Sequence, residues 1–227
     1  MSKQRAPPER HGGTVTATEK FIKRSFDVCV AAIALIVLGW LIAIAVLAAR
    51  IEIGRSGIFR QLRIGRNGAL FFLYKIRTMR DFEGYTTSIT TDGDPRITRL
   101  GRLLRRWKID ELPQLVNVLR GEMSLVGPRP DVPTYLPTLR RDAPLVLAVQ
   151  PGITGPATLK YRFEEQLLAS QADPEQYNDR VIFPDKMRIN VEYVRNFSLA
   201  NDFKYLLQTF WPRRRIATGE NATKVRR

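Results

Sequence analysis

Two adjacent carboxylates, Asp110 and Glu111, stand in the run KIDELPQLVNVLRGEMSLVGPRP over residues 108–130, and Arg129 sits between Pro128 and Pro130 at its far end. Pro113 lacks an amide hydrogen and is tolerated in a first helical turn. The spacing therefore predicts a helix over 110–119, with Leu112, Leu115, Val116 and Leu119 on its apolar face and both carboxylates at or just before its start. Free amides and the helix dipole favour anions there, so Asp110 is expected to be ionised at neutral pH, as a nucleophile or metal ligand must be. Aspartate is also a preferred N-cap residue, and on this fragment alone capping is the better account of Asp110. Glu111 is not needed for capping. Paired carboxylates can hold Mg²⁺ while it also touches substrate phosphates. A guanidinium held between two prolines suits bidentate phosphate contact, whereas a surface salt bridge rarely calls for such a setting.

The totals agree with an anionic partner. Lys and Arg number 37 against 22 Asp and Glu, a formal charge of +15, which suits nucleic acid, anionic headgroups or a phosphorylated substrate. The single cysteine, Cys29, rules out a disulfide within one chain and fits a reducing compartment. The single histidine, His11, lies in a polar stretch and argues against a His-based zinc site or a Ser-His-Asp triad. Any metal is expected to be a hard cation on oxygen ligands.

Residues 1–19 are polar with Pro7, Pro8, Gly12 and Gly13 and are expected to be a disordered tail. Residues 28–49 carry no charge over 22 positions, long enough to enter a bilayer as a helix over 20–52. Lys20, Lys23 and Arg24 flank one side, and Arg50, Arg55, Arg60 and Arg63 the other. Positive charge marks the cytoplasmic side, so both flanks claim it. A re-entrant helix breaking at Gly39 satisfies both; an ordinary span with a short cytoplasmic tail is the alternative. Asp27, three residues after Arg24, is placed to pair with it.

Two β-rich runs in 57–79 flank Gly65-Arg66-Asn67-Gly68 and predict a hairpin; residues 81–94 read as a mobile loop. In 97–107, Leu100, Leu103, Leu104 and Trp107 recur at helical spacing among Arg99, Arg102, Arg105 and Arg106. A solvated arginine face over a core stripe and a surface for headgroups or substrate phosphate explain this equally well. Residues 131–141 read as helix interrupted at Pro133 and Pro137, 150–156 as a Gly-Pro loop, 157–163 as extended, 184–195 and 199–210 as helices, and 213–227 as a basic tail. The second closing helix takes its apolar face from Phe203, Leu206, Leu207, Phe210 and Trp211.

KRSFDVCVAAIAL, FRQLRIGRNGALFFLYKIRTM, ITRLGRLLRRWKIDELPQLVNVLRGEMSLVGPRP, PGITGP and FPDKMRINVEYVRNFSLANDFKYLLQT together resemble the bacterial sugar transferases, the monotopic polyprenyl-phosphate sugar-1-phosphate transferases, over about residues 23–210. The DELPQL–GxMSxVGPRP combination is the specific part. The resemblance implies an α+β, mainly helical fold: a re-entrant membrane helix, a small β-hairpin and interfacial amphipathic helices on a catalytic domain over 53–212. It implies transfer of a sugar-1-phosphate from a UDP-sugar to polyprenyl (undecaprenyl) phosphate with release of UMP, through a covalent phosphosugar-aspartyl intermediate and with Mg²⁺. Asp110 would be the nucleophile, Glu111 its partner in metal binding or proton transfer, and Arg129 a phosphate-binding group, with Arg105 and Lys75 as further basic positions. The expected place is the cytoplasmic face of the bacterial inner membrane, in contact with lipid, with no nucleic-acid partner and a homodimer left open. The family's Ser-Pro in mid-helix is here Gly39-Trp40, and its Gly-Trp after PGIT is Gly155-Pro156, close to the expected sugar site. The rival reading is a membrane-tethered, non-enzymatic basic protein that binds polyanions or organises partners.

Overall fold

The computed structural model describes residues 17–81 and 90–210. Helix α1 (Ala17–Ile53) is a single element of 37 residues, about 55 Å long at 1.5 Å per residue. It takes in residues 17–19, which the sequence placed in the tail. It also runs unbroken through Gly39. One glycine weakens a helix by only about 1 kcal/mol, and no proline follows to break the hydrogen-bond ladder. Among the described residues α1 is the one helix long and apolar enough to cross a membrane, and only 11% of its most apolar window is buried. That low burial separates it from a core helix.

Strands β1 (Ile58–Ile64) and β2 (Leu70–Ile76) form the expected antiparallel hairpin. Asn67 takes the left-handed conformation (φ 59°) that the tight connection needs. The register pairs Phe59 with Lys75, Gln61 with Leu73 and Arg63 with Phe71; opposed residues share a face, and Phe71 and Leu73 are buried on it. Helix α2 (Arg99–Arg106) starts at Thr98, whose hydroxyl accepts from the Gly101 amide at 2.9 Å. The expected helix over 110–119 is split. Ile109–Glu111 forms a 3₁₀ turn, Pro113 is the N-cap residue, and α3 spans only Gln114–Arg120. Pro113 cannot extend an α-helical ladder backward, so the chain tightens before it.

Strand β3 (Ser124–Val126) pairs in parallel with β4 (Gly152–Thr154), across α4 (Leu136–Asp142). Residues 157–163, read as extended, instead begin in α5 (Pro156–Lys160), because Pro156 supplies the helical φ of a first position. Helices α6 (Glu164–Ala169) and α7 (Pro174–Tyr177), absent from the sequence reading, lead to α8 (Phe183–Arg195) and α9 (Leu199–Phe210) at the expected places. The two expected tails beyond these bounds, the Trp211 position and the central part of the 81–94 loop lie outside the described residues.

One core cluster joins Ala31 of α1 to Phe71, Leu115, Val118, Met123, Val126 and Tyr193. A second joins Ala45 and Ala49 to Ile76 and Leu104. Both ends of α1 thus rest on the same body. Arg24 does not pair with Asp27; it donates to the Val118 and Leu119 carbonyls at 2.6 and 3.0 Å, at the C-terminal end of α3 where such carbonyls lack helix partners. Asp27 instead accepts from Ser124 (2.7 Å) and the Leu125 amide (3.3 Å), with Lys23 at 3.9 Å.

A Cβ on Gly57 would lie 2.0 Å from the Val46 carbonyl oxygen, whereas one on Gly39 would meet nothing within 4 Å. Gly57→Ala should therefore force α1 and the hairpin apart, costing about 1–3 kcal/mol. Gly39→Ala should be neutral or stabilising by up to about 1 kcal/mol. Thermal unfolding in detergent compares them; equal melting points would contradict this packing.

Candidate active site

Lys108 brings the carboxylates into place. It follows α2 in the left-handed conformation (φ 58°), an arrangement that costs a non-glycine residue about 1–2 kcal/mol. The reversal turns Asp110 and Glu111 inward, and both are buried. Lys75, on the inner face of the hairpin, donates to Glu111 Oε1 at 3.1 Å. Arg129, in the Gly-Pro-Arg-Pro turn, donates to the same oxygen at 2.5 Å. Three separated parts of the chain meet on one carboxylate.

Asp110 is not a cap: the turn it sits in has no side-chain capping bond, and its Oδ1 is buried without a hydrogen-bond partner. The two neighbours titrate in opposite directions. Burial alone would raise Glu111, but Arg129 and Lys75 outweigh it and hold the carboxyl well below the usual range. Burial, then the charge of Glu111, pushes Asp110 up, against Lys75, Lys108 and Arg105. The helix-start argument predicted a favoured anion; burial beside a second carboxylate reverses that direction in the free protein. Arg129 is raised by Glu111, and Lys75 is lowered by burial in spite of it.

Of the predicted residues, Asp110, Glu111, Arg129 and Lys75 come together. Arg105 stands apart: its guanidinium pairs with Glu165 of α6 and lies 3.9 Å from the Met79 sulfur. It acts on Asp110 only through its charge.

The sequence reading missed Arg63, which it took for a membrane flank. On the same hairpin face as Lys75, its Nη1 donates to the Pro130 carbonyl at 3.1 Å and its Nη2 to Gln61 at 2.6 Å. Burial, then the charge of Arg129, lowers it to about 10. The alternation Phe59, Gln61, Arg63 was the available signal. Asp131 was missed too: burial raises its carboxyl to about 6, against Lys186, Arg63 and Arg129. A concavity of about 740 Å³ lies elsewhere, against α8 among Pro184, Met187, Val191 and Arg195, and none of these cluster residues lines it.

A buried carboxylate with a free oxygen beside a second one held by two cations, on a mainly helical body carrying one long apolar helix, suits a membrane-associated enzyme that handles phosphate. Comparison with known proteins gives the family. Residues 18–214 match the model for bacterial sugar transferases, and the chain belongs to that family and is a transferase of phosphosugar groups. It is 37% identical over 188 residues to a Bacillus subtilis protein named uncharacterized sugar transferase EpsL, covering 83% of this chain and 85% of that one. It is 37% identical to the UDP-glucose:undecaprenyl-phosphate glucose-1-phosphate transferase of Caulobacter vibrioides, covering 82% and 67%. It is 34% identical to the UDP-N-acetylgalactosamine-undecaprenyl-phosphate N-acetylgalactosaminephosphotransferase of Aeromonas hydrophila, covering 89% of this chain but 45% of that protein.

The family resemblance implies Mg²⁺. Among the described residues no three His, Cys, Asp or Glu side chains gather as a metal cage. Two carboxylates, one with a partnerless oxygen, fit Mg²⁺ of the kind that takes its other ligands from water and substrate phosphate.

Asp131 gives a pH test. With its value raised from 3.8 to about 6, the folded state holds the proton more tightly. Its contribution is full below pH 3.8 and is lost as pH rises through about 6. Asp131→Asn should therefore melt higher than wild type at pH 8, by at most about 3 kcal/mol, with a smaller gain at pH 5. Equal gains at both pH values would assign the effect to something other than this titration.

Proposed function

We propose that this chain transfers a sugar-1-phosphate from a UDP-sugar to polyprenyl phosphate at a membrane surface, as the first membrane step in building a surface glycan. The observation that carries the reading is the free, buried Oδ1 of Asp110 beside a Glu111 whose charge is already matched. An Asp110 oxygen attacks the β-phosphorus of the donor. An O–P bond to Asp110 forms, the bond to the α-phosphate bridging oxygen breaks, and UMP leaves with that electron pair. A phosphate oxygen of the polyprenyl phosphate then attacks the same phosphorus and Asp110 is released. The relay keeps two bulky anions from needing the site together. Arg129 meets the charge on the transferring phosphoryl oxygens, and Lys75 and Glu111 fix its neighbourhood. Asp110 and Glu111 are the carboxylates that would hold Mg²⁺, which when bound neutralises charge on the phosphate oxygens.

The Aeromonas hydrophila and Caulobacter vibrioides relatives are named for transfer to undecaprenyl phosphate, and α1 supplies the membrane partner that such an acceptor needs. We place the catalytic body on the cytoplasmic face, with the unbroken α1 lying along that side and both its ends held there. In support, one small body touches α1 at Lys23, Arg24 and Asp27 and again at Glu52, which accepts from the Leu100 amide at 3.3 Å. A crossing helix would separate those ends by the roughly 30 Å hydrocarbon core. The apolar residues Leu103 and Trp107 at α2, and Phe203 and Leu207 on α9, are exposed, as helices lying in the headgroup plane require.

UMP release should be seen with at least one UDP-sugar in the presence of polyprenyl phosphate and Mg²⁺. Asp110→Asn should lower it by at least about 10³-fold, since it removes the attacking group. Donor alone should leave a phosphosugar mass on the peptide containing Asp110. No release from any sugar, with an intact cellular phenotype in Asp110→Asn, would favour the tethered polyanion binder.

For topology, a cysteine at Lys20 in a Cys29→Ser background should be labelled only from the cytoplasmic side. Periplasmic labelling would establish an ordinary crossing.

A further inference from the structure

Val126 directly precedes the turn that carries Arg129, and its carbonyl meets two side-chain donors from far along the chain. Lys23 Nζ of α1 donates at 3.2 Å, and the Tyr193 hydroxyl of α8, whose single hydrogen is shared with Asp202 Oδ1, lies at 3.3 Å. The same two donors share one carboxylate of α9: Lys23 reaches Asp202 Oδ2 at 2.5 Å and Tyr193 reaches Oδ1 at 2.8 Å. Tyr193 and Asp202 are both buried. Beyond Val126 the turn is pinned at each step. The Gly127 amide donates to Thr154, the Gly152 amide to Pro128, and Arg63 to Pro130. Two prolines remove most remaining backbone freedom. A shift at Val126 therefore has no slack to absorb it before Arg129.

We infer that Lys23, Tyr193 and Asp202 are positioning residues that register the membrane helix against the phosphate-binding turn, so that Arg129 is correctly placed only while α1 is seated. None of the three touches the reacting groups. The kinetic consequence rests on the transfer reading above; the structural consequence does not. The Tyr193 hydroxyl is the cleanest probe, because its ring also packs edge-on against Phe197 and Tyr205 and that packing survives in Tyr193→Phe. Removing Lys23 alone would strand Asp27 and Asp202 without their cation, so the triple variant Lys23→Gln/Asp27→Asn/Asp202→Asn serves as the second probe.

The full chain in lipid nanodiscs should be measured two ways. Hydrogen exchange at the Gly127 and Gly152 amides, which the bonds to Thr154 and Pro128 protect, should quicken in both variants. In the kinetics, Tyr193→Phe should lower kcat/KM for the donor about tenfold, the worth of one such hydrogen bond, yet less than twofold in an Arg129→Lys background, since the two act through one group. Unchanged exchange, or losses that simply add, would overturn the inference and leave Tyr193 a packing residue. Quickened exchange in a protein that releases no UMP from any donor would uphold the coupling while refuting the transfer reading.

Discussion

A single oxygen, Glu111 Oε1, governs the candidate site. It accepts from a lysine on the hairpin and an arginine in the proline-flanked turn, and all three groups are largely withdrawn from water. A buried ion left without its partner costs about 3–5 kcal/mol, so these elements have little freedom to move apart. Asn117 fixes the same geometry from behind. Fully buried, it donates to the Phe72 carbonyl and to Glu122 and accepts from the Tyr74 amide, tying α3 to the strand that carries Lys75. The consequence for Asp110 is negative and useful. Because Glu111 holds the cations, Asp110 keeps a lone oxygen free for chemistry.

The second constraint is the long apolar helix α1, which is a member of the fold and not a tether. Its N-terminal third caps α3 through Arg24 and feeds Asp27 to β3; its C-terminal third accepts from α2 and closes on Gly57. Two hydrophobic clusters include its alanines. The catalytic body would have open faces without it, so detaching it should expose core instead of releasing a soluble enzyme.

Much of the site could be read from the chain because Asp110, Glu111 and Arg129 share one short run and one family pattern. The hairpin and the last two helices were legible too, since each shows its own period or turn. What failed had a common cause. The two three-residue strands, β3 and β4, are too short to show alternation, and α5 is set by Pro156 acting as a first helical residue. The single helix expected over 110–119 ignored how tightly the chain must turn ahead of Pro113. The Arg24–Asp27 pairing obeyed helix spacing, but tertiary partners with unmet carbonyls and amides won both side chains. Arg63 was lost because a charge near an apolar run looks like a membrane flank until strand alternation places it inward.

Helix α1 carries two unlike sides. Ala31, Ala45 and Ala49 are almost fully covered, while Ile36, Val37, Trp40 and Ile44 project outward. The covered positions admit only small side chains, because the body approaches within contact of the backbone. The projecting ones ask only for greasiness, and lipid accommodates many shapes. One helix therefore answers to two selective regimes. Homologues adapting to bilayers of different thickness should rewrite the outer side freely and keep the inner side nearly fixed, so the pattern of tolerated substitutions along α1 records which face meets protein and which meets lipid.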